Sequence, residues 1–387
     1  MQFYDEETTY LAIPGPVPIH PSVYREMSKP IYGHRTPEFR KIVAECIELL
    51  KPLFGLRKGL VIILTGSGTS AMDAAVRSFV EPKDKVISFV NGKFSERLAE
   101  IAESCGANVV RVDVEWGKAI KPELVEKYLD KHSDAKFITL THNETSTGVL
   151  NPLHKIAKIA QKYSVTVIAD GITAVGGTFV KQEEWGVDIE ISGSQKCLGI
   201  PPGLGFVGLT EKALQMLENK KTHAYYTNLR IYLETWLKKK DLPFTGAVSL
   251  IYALHRSLKI IHAEGLENRF RRHAIMAEAL REGIKALGLE IFAEPGYESP
   301  TVTAVRYPEG IKDDEFRSLM LKYGILVAGG QAHLKGKIFR IATMNLIGPR
   351  EILMILSVME FVLRKLDFKP KESGVLAAVE IFRRYGI

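Results

Sequence analysis

The sequence predicts an α/β protein: a mostly parallel seven-stranded sheet flanked by helices, followed by a smaller C-terminal α+β domain. Three observations carry this reading. Between about residues 60 and 210, short β-rich apolar runs alternate with helical stretches. Those runs are apolar on both faces, as strands of a covered parallel sheet are. Past about residue 265 the rhythm changes to long helical stretches alternating with strands, and 387 residues are too many for one small core.

Leu60–Thr65 (LVIILT) reads as the first buried strand, ended by Gly66-Ser67-Gly68-Thr69. The next stretch, about Ser70–Phe79, spaces Ala71, Ala74, Ala75 and Phe79 along one helical face. Val86–Val90, Val109–Val112, Phe137–Thr141, Thr166–Ala169, Ile189–Ser192 and Phe206–Leu209 follow as strands, with helices such as Phe94–Ser104 and Pro152–Tyr163 between them. In the second part, helices Arg269–Leu287, Asp313–Tyr323 and Pro349–Leu366 alternate with strands near Thr301–Tyr307, Ile325–Ala328 and Ile338–Ala342. The expected division is an N-terminal segment, 1–20, packing on the small domain or a neighbouring subunit, a large domain, 21–264, and a small domain, 265–387. Without a repeat or a low-complexity linker, the two domains are expected to pack closely.

The formal charge of +7 raises a nucleic-acid reading, but the basic residues are scattered. Two runs, Lys238-Lys239-Lys240 and Arg269/Arg271/Arg272, lie in helix-like stretches and read as solvated faces. Cys46, Cys105 and Cys197 lie far apart, which excludes a disulfide framework and a cysteine zinc site and fits a reducing cytosol. The start, MQFYDEETTY, lacks the pattern of a signal peptide, and apolar runs such as Val61–Leu64 are far too short to span a membrane. The expectation is a cytoplasmic protein with no metal, nucleic-acid or membrane partner.

In a parallel sheet, ligands sit beyond the carboxyl ends of the strands. Three features fall there. Gly66-Ser67-Gly68-Thr69 leads into a helix whose N–H groups and dipole make an anion seat, naturally for a phosphate. With Ala71 it also fits the G-x-G-x-x-A dinucleotide fingerprint. The next strand, however, ends Phe89-Val90-Asn91 with no carboxylate for a ribose. By itself the loop also admits, as the lesser reading, a purely structural turn. Asp170 follows the strand Val165–Ala169, where a carboxylate is either a helix cap or functional. Facing a pyridine nitrogen, it would keep that nitrogen protonated, an interaction worth at most about 4 kcal/mol, or roughly three pKa units. Lys196 ends Ser192-Gly193-Ser194-Gln195-Lys196 and precedes an apolar loop rich in Gly and Pro. Partial burial there would lower its pKa, as Schiff-base lysines need, although a structural lysine fits the loop as well.

Together these stretches, SGSQK…PPG, TGSGTSAMDAA and HNETSTGVLNP, resemble the class V aminotransferases of pyridoxal-phosphate (PLP) fold type I, in particular the alanine–glyoxylate and serine–pyruvate group. The resemblance runs from Pro14-Gly15-Pro16 to Arg340 and beyond. It implies that Lys196 holds PLP as a Schiff base and shuttles the proton. It also implies that Asp170 pairs with the pyridinium nitrogen, and that Ser67, Gly68, Thr69 and Gln195 bind the phosphate. Phe94 falls at the ring-stacking position, where a tryptophan is often found, and Thr145 approaches the cofactor's phenolic oxygen or the substrate. Arg340 would clamp the substrate carboxylate with two parallel hydrogen bonds, with the Gly15 backbone closing its other side. Thr245 matches a threonine that reaches the neighbouring subunit's phosphate, while the tyrosine usual near it is absent from Leu242-Pro243-Phe244. A homodimer with shared sites is implied, acting on small amino acids and 2-oxo acids.

Three other readings compete. A cysteine desulfurase needs a cysteine ahead of Arg340, where residues 325–340 hold none, and a histidine where this chain has Gln195. A phosphoserine aminotransferase is suggested by His34-Arg35, a pair which otherwise braces the dimer. A non-catalytic subunit associated with a soluble hydrogenase is opposed by the complete set Lys196, Asp170 and Arg340.

Overall fold

A computed structural model describes residues 4–5, 7–220, 222 and 224–387. The large sheet contains β1 (Leu60–Thr65), β2 (Lys85–Val90), β3 (Asn108–Asp113), β4 (Phe137–Thr141), β5 (Thr166–Asp170), β6 (Ile189–Gly193) and β7 (Leu204–Leu209). Their spatial order is β1-β7-β6-β5-β4-β2-β3, and β7 alone runs against the rest. The chain is an α/β protein of PLP fold type I, as the alternating pattern predicts.

Apolar residues on both faces explain why this sheet is covered twice. One core gathers Val61, Ile63, Ile168, Ile191 and Phe206 against helices that include α1 (Gly68–Phe79). The other gathers Ile87, Phe89, Leu140, Val167 and Ala169 against Leu153–Lys162 and its neighbours. Each strand end thus emerges from a packed layer. The loops after β1, β2, β4, β5 and β6 all open on one edge, because these strands are parallel.

A separate core surrounds a three-stranded antiparallel sheet of β8 (Val302–Arg306), β9 (Ala328–Gly329) and β10 (Ile338–Ala342), ordered β8-β10-β9. The single strand expected over Ile325–Ala328 is split in two. Ile325–Leu326 pairs in parallel with Tyr10–Leu11, whereas Ala328–Gly329 pairs with β10. Through that first pairing, and the bond from Ala342 N to Ala12 O (2.8 Å), the N-terminal segment is stitched to the small sheet. Two helices, α3 (Val248–Glu264) and α4 (Leu266–Ala286), join the halves end to end. Gly265 breaks them apart at φ 83°, a conformation that glycine adopts without steric cost.

The arginine run in α4 departs from the expected solvated face. Arg269 is 2% exposed. Its donors go to Gly176 O (2.9 Å), Cys197 O (2.7 Å), Asn345 Oδ1 (3.2 Å) and the Glu264 carboxylate (3.0 Å). A cation is tolerated in the core when its N–H groups are satisfied in this way. Among the described residues, no helix is long and apolar enough to cross a membrane.

Candidate active site

Five strand-end loops and two segments from the other half of the molecule converge at one edge of the sheet. After β1, Ser67 caps α1 by accepting from Ser70 N (3.3 Å), leaving Ser67 and Thr69 exposed and Gly68 buried. A Cβ at Gly68 would meet Ile172 Cδ1 at 2.7 Å, so this turn lies close against the loop after β5 and a side chain there would have to displace the Ile172 tip.

After β2 the chain enters α2 (Lys93–Ser104), which carries Phe94 in its first turn. Its N-terminus is capped from a distance by Glu144, which accepts from Ser95 N (2.9 Å), Ser95 Oγ (3.1 Å) and Phe94 N (3.4 Å). A carboxylate there satisfies orphan amides and complements the helix dipole. The neighbouring Thr145 is buried, with its hydroxyl 3.0 Å from Thr173 Oγ1 and its carbonyl accepting from Arg340 Nη1 (3.1 Å). One turn after β4 therefore fixes both Phe94 and Arg340.

Asp170 ends β5, 2% exposed. Its Oδ1 accepts from Ile172 N (2.9 Å), and among the described residues no cation pairs with it. Burial raises its pKa to about 7, against the lowering effect of that N–H, with Glu144 and Glu190 adding to the rise.

Lys196 follows β6 on a loop pinned at each step. Gly199 N donates to Lys196 O (2.9 Å), Ser257 Oγ to Leu198 O (2.5 Å) and Arg269 Nη2 to Cys197 O. Burial, and next the charge of Arg340, pull the Lys196 ammonium down to about 8. Its Nζ donates to Pro14 O, and a Cβ at Gly15 would lie 2.4 Å from Nζ. The Pro14-Gly15 turn thus reaches the lysine itself. Among the described residues, the buried Gln195 Oε1 has no hydrogen-bond partner.

Arg340 projects from β10 and is 6% exposed. Its Nε and Nη2 donate to Gly329 O (3.0 and 2.8 Å) and its Nη1 to Thr145 O. Among the described residues, three of the five guanidinium N–H groups are used, leaving one on each Nη for a carboxylate. Burial lowers its pKa to about 10.

Thr245 and Arg35 make other contacts, Thr245 on the segment whose Ala247 N donates to Thr65 Oγ1 (3.1 Å) and Arg35 at the start of that segment. Thr245 is exposed, its hydroxyl 3.5 Å from His34 Nε2. Arg35 is tied to Leu242 O, Pro243 O and the Asp241 carboxylate (3.2 Å). A tyrosine from elsewhere in the chain packs beside Leu242–Phe244. Tyr226 packs on Phe244 with ring centres 5.2 Å apart and donates to Thr65 O (2.7 Å) at the rim of the glycine turn.

The profile of the Aminotransferase class-V family matches residues 23–346. The chain is a class V aminotransferase. It is 42% identical over 373 residues to an uncharacterized aminotransferase of Methanocaldococcus jannaschii, covering 96% of this chain and 97% of that one. It is 38% identical over 383 residues to a protein of Synechococcus named soluble hydrogenase, small subunit, covering 97% and 99%. The crystal structure of ureidoglycine–glyoxylate aminotransferase from Bacillus subtilis superposes with a TM-score of 0.92 at 33% identity, over 97% of this chain and 98% of that one. As a member of this family, the aminotransferase is a PLP-dependent transaminase.

The pocket fits that cofactor. Among the described residues, a buried carboxylate with no cation, a buried amine with no carboxylate and a glycine-containing turn leading into a helix N-terminus are the complements of a pyridinium nitrogen, an aldehyde and a phosphate. The sequence reading overlooked Glu144, although a lone carboxylate in the small polar run HNETSTG was its visible signal. Arg269 left no comparable signal, since Arg271 and Arg272 beside it look the same in sequence.

Proposed function

We propose that this aminotransferase moves the amino group of a small amino acid, serine or alanine, to a short 2-oxo acid, glyoxylate or pyruvate, in two half-reactions by a ping-pong scheme. The observation carrying this reading is Arg340: buried, with one N–H free on each Nη, and close enough to depress the Lys196 pKa. PLP, when bound, supplies an electron sink that acidifies the substrate Cα–H. Lys196 Nζ, brought to about 8, takes the proton from Cα and returns one to complete each half-reaction. Asp170 holds the proton on the pyridine nitrogen, Ser67, Gly68, Thr69 and Gln195 bind the phosphate, and Phe94 covers the ring. Thr145 lies toward the phenolic oxygen or the substrate, and Arg340 with the Gly15 backbone orients the substrate carboxylate.

The working form in this reading is a cytoplasmic homodimer whose Thr245 reaches the partner's phosphate. The exposed Thr245 and the exposed Ile31, Tyr32 and Tyr225 support the dimer, and three free cysteines suit a reducing compartment. Residues 21–264 form the cofactor domain, 265–387 the small domain, and 1–20 a segment joined to the latter. Glyoxylate as acceptor draws support from the Bacillus subtilis relative. A phosphoserine donor is poorly served, because Arg35 is spent on Asp241, Leu242 and Pro243. A non-catalytic subunit would have no use for Lys196, Asp170 and Arg340 together.

The test is a half-reaction screen, mixing the PLP-loaded protein with single amino acids and following the bound aldehyde's absorbance. Serine or alanine should convert it faster than aspartate or phenylalanine, and the reverse order would overturn the reading. K196A should keep PLP without a covalent link and lose at least about 10²-fold in turnover.

A further inference from the structure

A PLP phosphate carries close to two negative charges, yet the groups assigned to it above are amides, hydroxyls and a helix N-terminus, none of them a cation. One guanidinium stands at this seat. Arg97, on α2, donates from Nη1 to Thr69 Oγ1 (3.3 Å), and its Cζ lies 5.0 Å from the centre of the Phe94 ring. It therefore bridges the glycine turn and the aromatic side chain assigned to the cofactor ring.

The surrounding cations are neutralised. Lys93 pairs with Glu96 (2.6 Å) and Glu100 (3.7 Å), Arg111 with Glu96 (2.9 Å) and Asp113 (2.8 Å), and Arg77 with Asp73 (2.7 Å). Arg97 forms no ion pair among the described residues, although acids crowd its own helix. Its charge is felt in the pocket, where it offsets a small part of the burial-driven rise of Asp170 and adds, after burial and Arg340, a small part to the lowering of Lys196. A half-buried cation left unpaired among acids, with one N–H on the Thr69 hydroxyl and others free, has the chemistry of an anion ligand.

We infer that Arg97 is a cofactor-binding residue that neutralises the PLP phosphate from the α2 side of the Gly66–Thr69 turn. The inference rests on the reading of that turn as the phosphate seat. Arg97 would also stack on Phe94 and so tie the hold on the phosphate to the position of the ring cover.

The test compares two probes on the full-length cofactor-free protein: PLP, and pyridoxal, which lacks the phosphate. Dissociation constants are read from the absorbance of the bound aldehyde. R97Q should weaken PLP by about tenfold or more, the loss of one charge-assisted contact, while pyridoxal changes by less than about twofold. R97K, which keeps the charge but not the fork, should fall between wild type and R97Q, and rising salt should narrow the gap. Unaltered melting temperatures of the cofactor-free variants exclude a general loss of fold. Equal losses for both probes would make Arg97 a support for Phe94 and overturn the inference, as would no loss for either. If wild type itself bound PLP no better than pyridoxal, the phosphate seat would fall too. That failure shows in the wild type, so the two are distinguishable.

Discussion

Replacing Asp170 by Asn should make the cofactor-free protein more stable at alkaline pH while weakening its hold on PLP. In the folded chain this carboxyl is buried, accepts from Ile172 N and pairs with no cation among the described residues, and its pKa rises from 3.8 to about 7. A shift of about three units corresponds to about 4 kcal/mol. Because the folded value lies above the unfolded one, the associated stability is complete below about pH 4 and drains away as pH rises through about 7. Cofactor-free wild type should therefore lose up to about 4 kcal/mol from this group between pH 4 and 8, and D170N should lose none of it. With PLP bound, a pyridinium cation at the carboxylate would hold it ionised, and the alkaline loss should shrink. Thermal melts of both proteins, with and without PLP, at pH 4.5 to 8 read all four cases. If wild type and D170N without cofactor melt in parallel across that range, the reasoning fails.

Other expectations follow from the same geometry. R340K keeps a charge but cannot present two parallel N–H groups, so kcat/KM should fall by roughly 30-fold, about 2 kcal/mol, and steady-state rates at normal levels would place the carboxylate elsewhere. Glu190 is buried, its pKa is raised by burial against a hydrogen bond from His142, and its Oε2 has no partner among the described residues. E190Q should therefore gain about 1–3 kcal/mol at pH 8, with the gain fading toward acid, where the wild-type acid is protonated in the fold; pH-dependent melts check this. G15A puts a methyl 2.4 Å from Lys196 Nζ on a backbone at φ 105°, so PLP attachment, followed by absorbance, should be impaired in a protein whose α-helical circular dichroism is unchanged.

The large sheet was legible because its signal is local: buried strands read as apolar runs, and three of them end in loops that carry a glycine turn, a carboxylate or a lysine. Asp170 and Lys196 stand out because a charge at the end of a strand is conspicuous, whereas Arg340 is named only through the family resemblance. What escaped depends on contacts distant in sequence. The split of Ile325–Gly329 between two sheets is decided by Tyr10–Leu11, more than 300 residues away. The interior place of Arg269 depends on carbonyls at Gly176 and Cys197 meeting one point in space. Glu144 acts on a helix that begins 51 residues earlier, at Lys93, and no periodicity marks such a cap.

Arg340 belongs to the small sheet through Gly329 and reaches the large one through the Thr145 carbonyl. The side chain proposed to greet the substrate is thus also a rivet between the two halves of the molecule. Lesions there will register twice, in substrate recognition and in how firmly the halves stay together. A kinetic defect at this position becomes interpretable only beside a melting curve of the same variant.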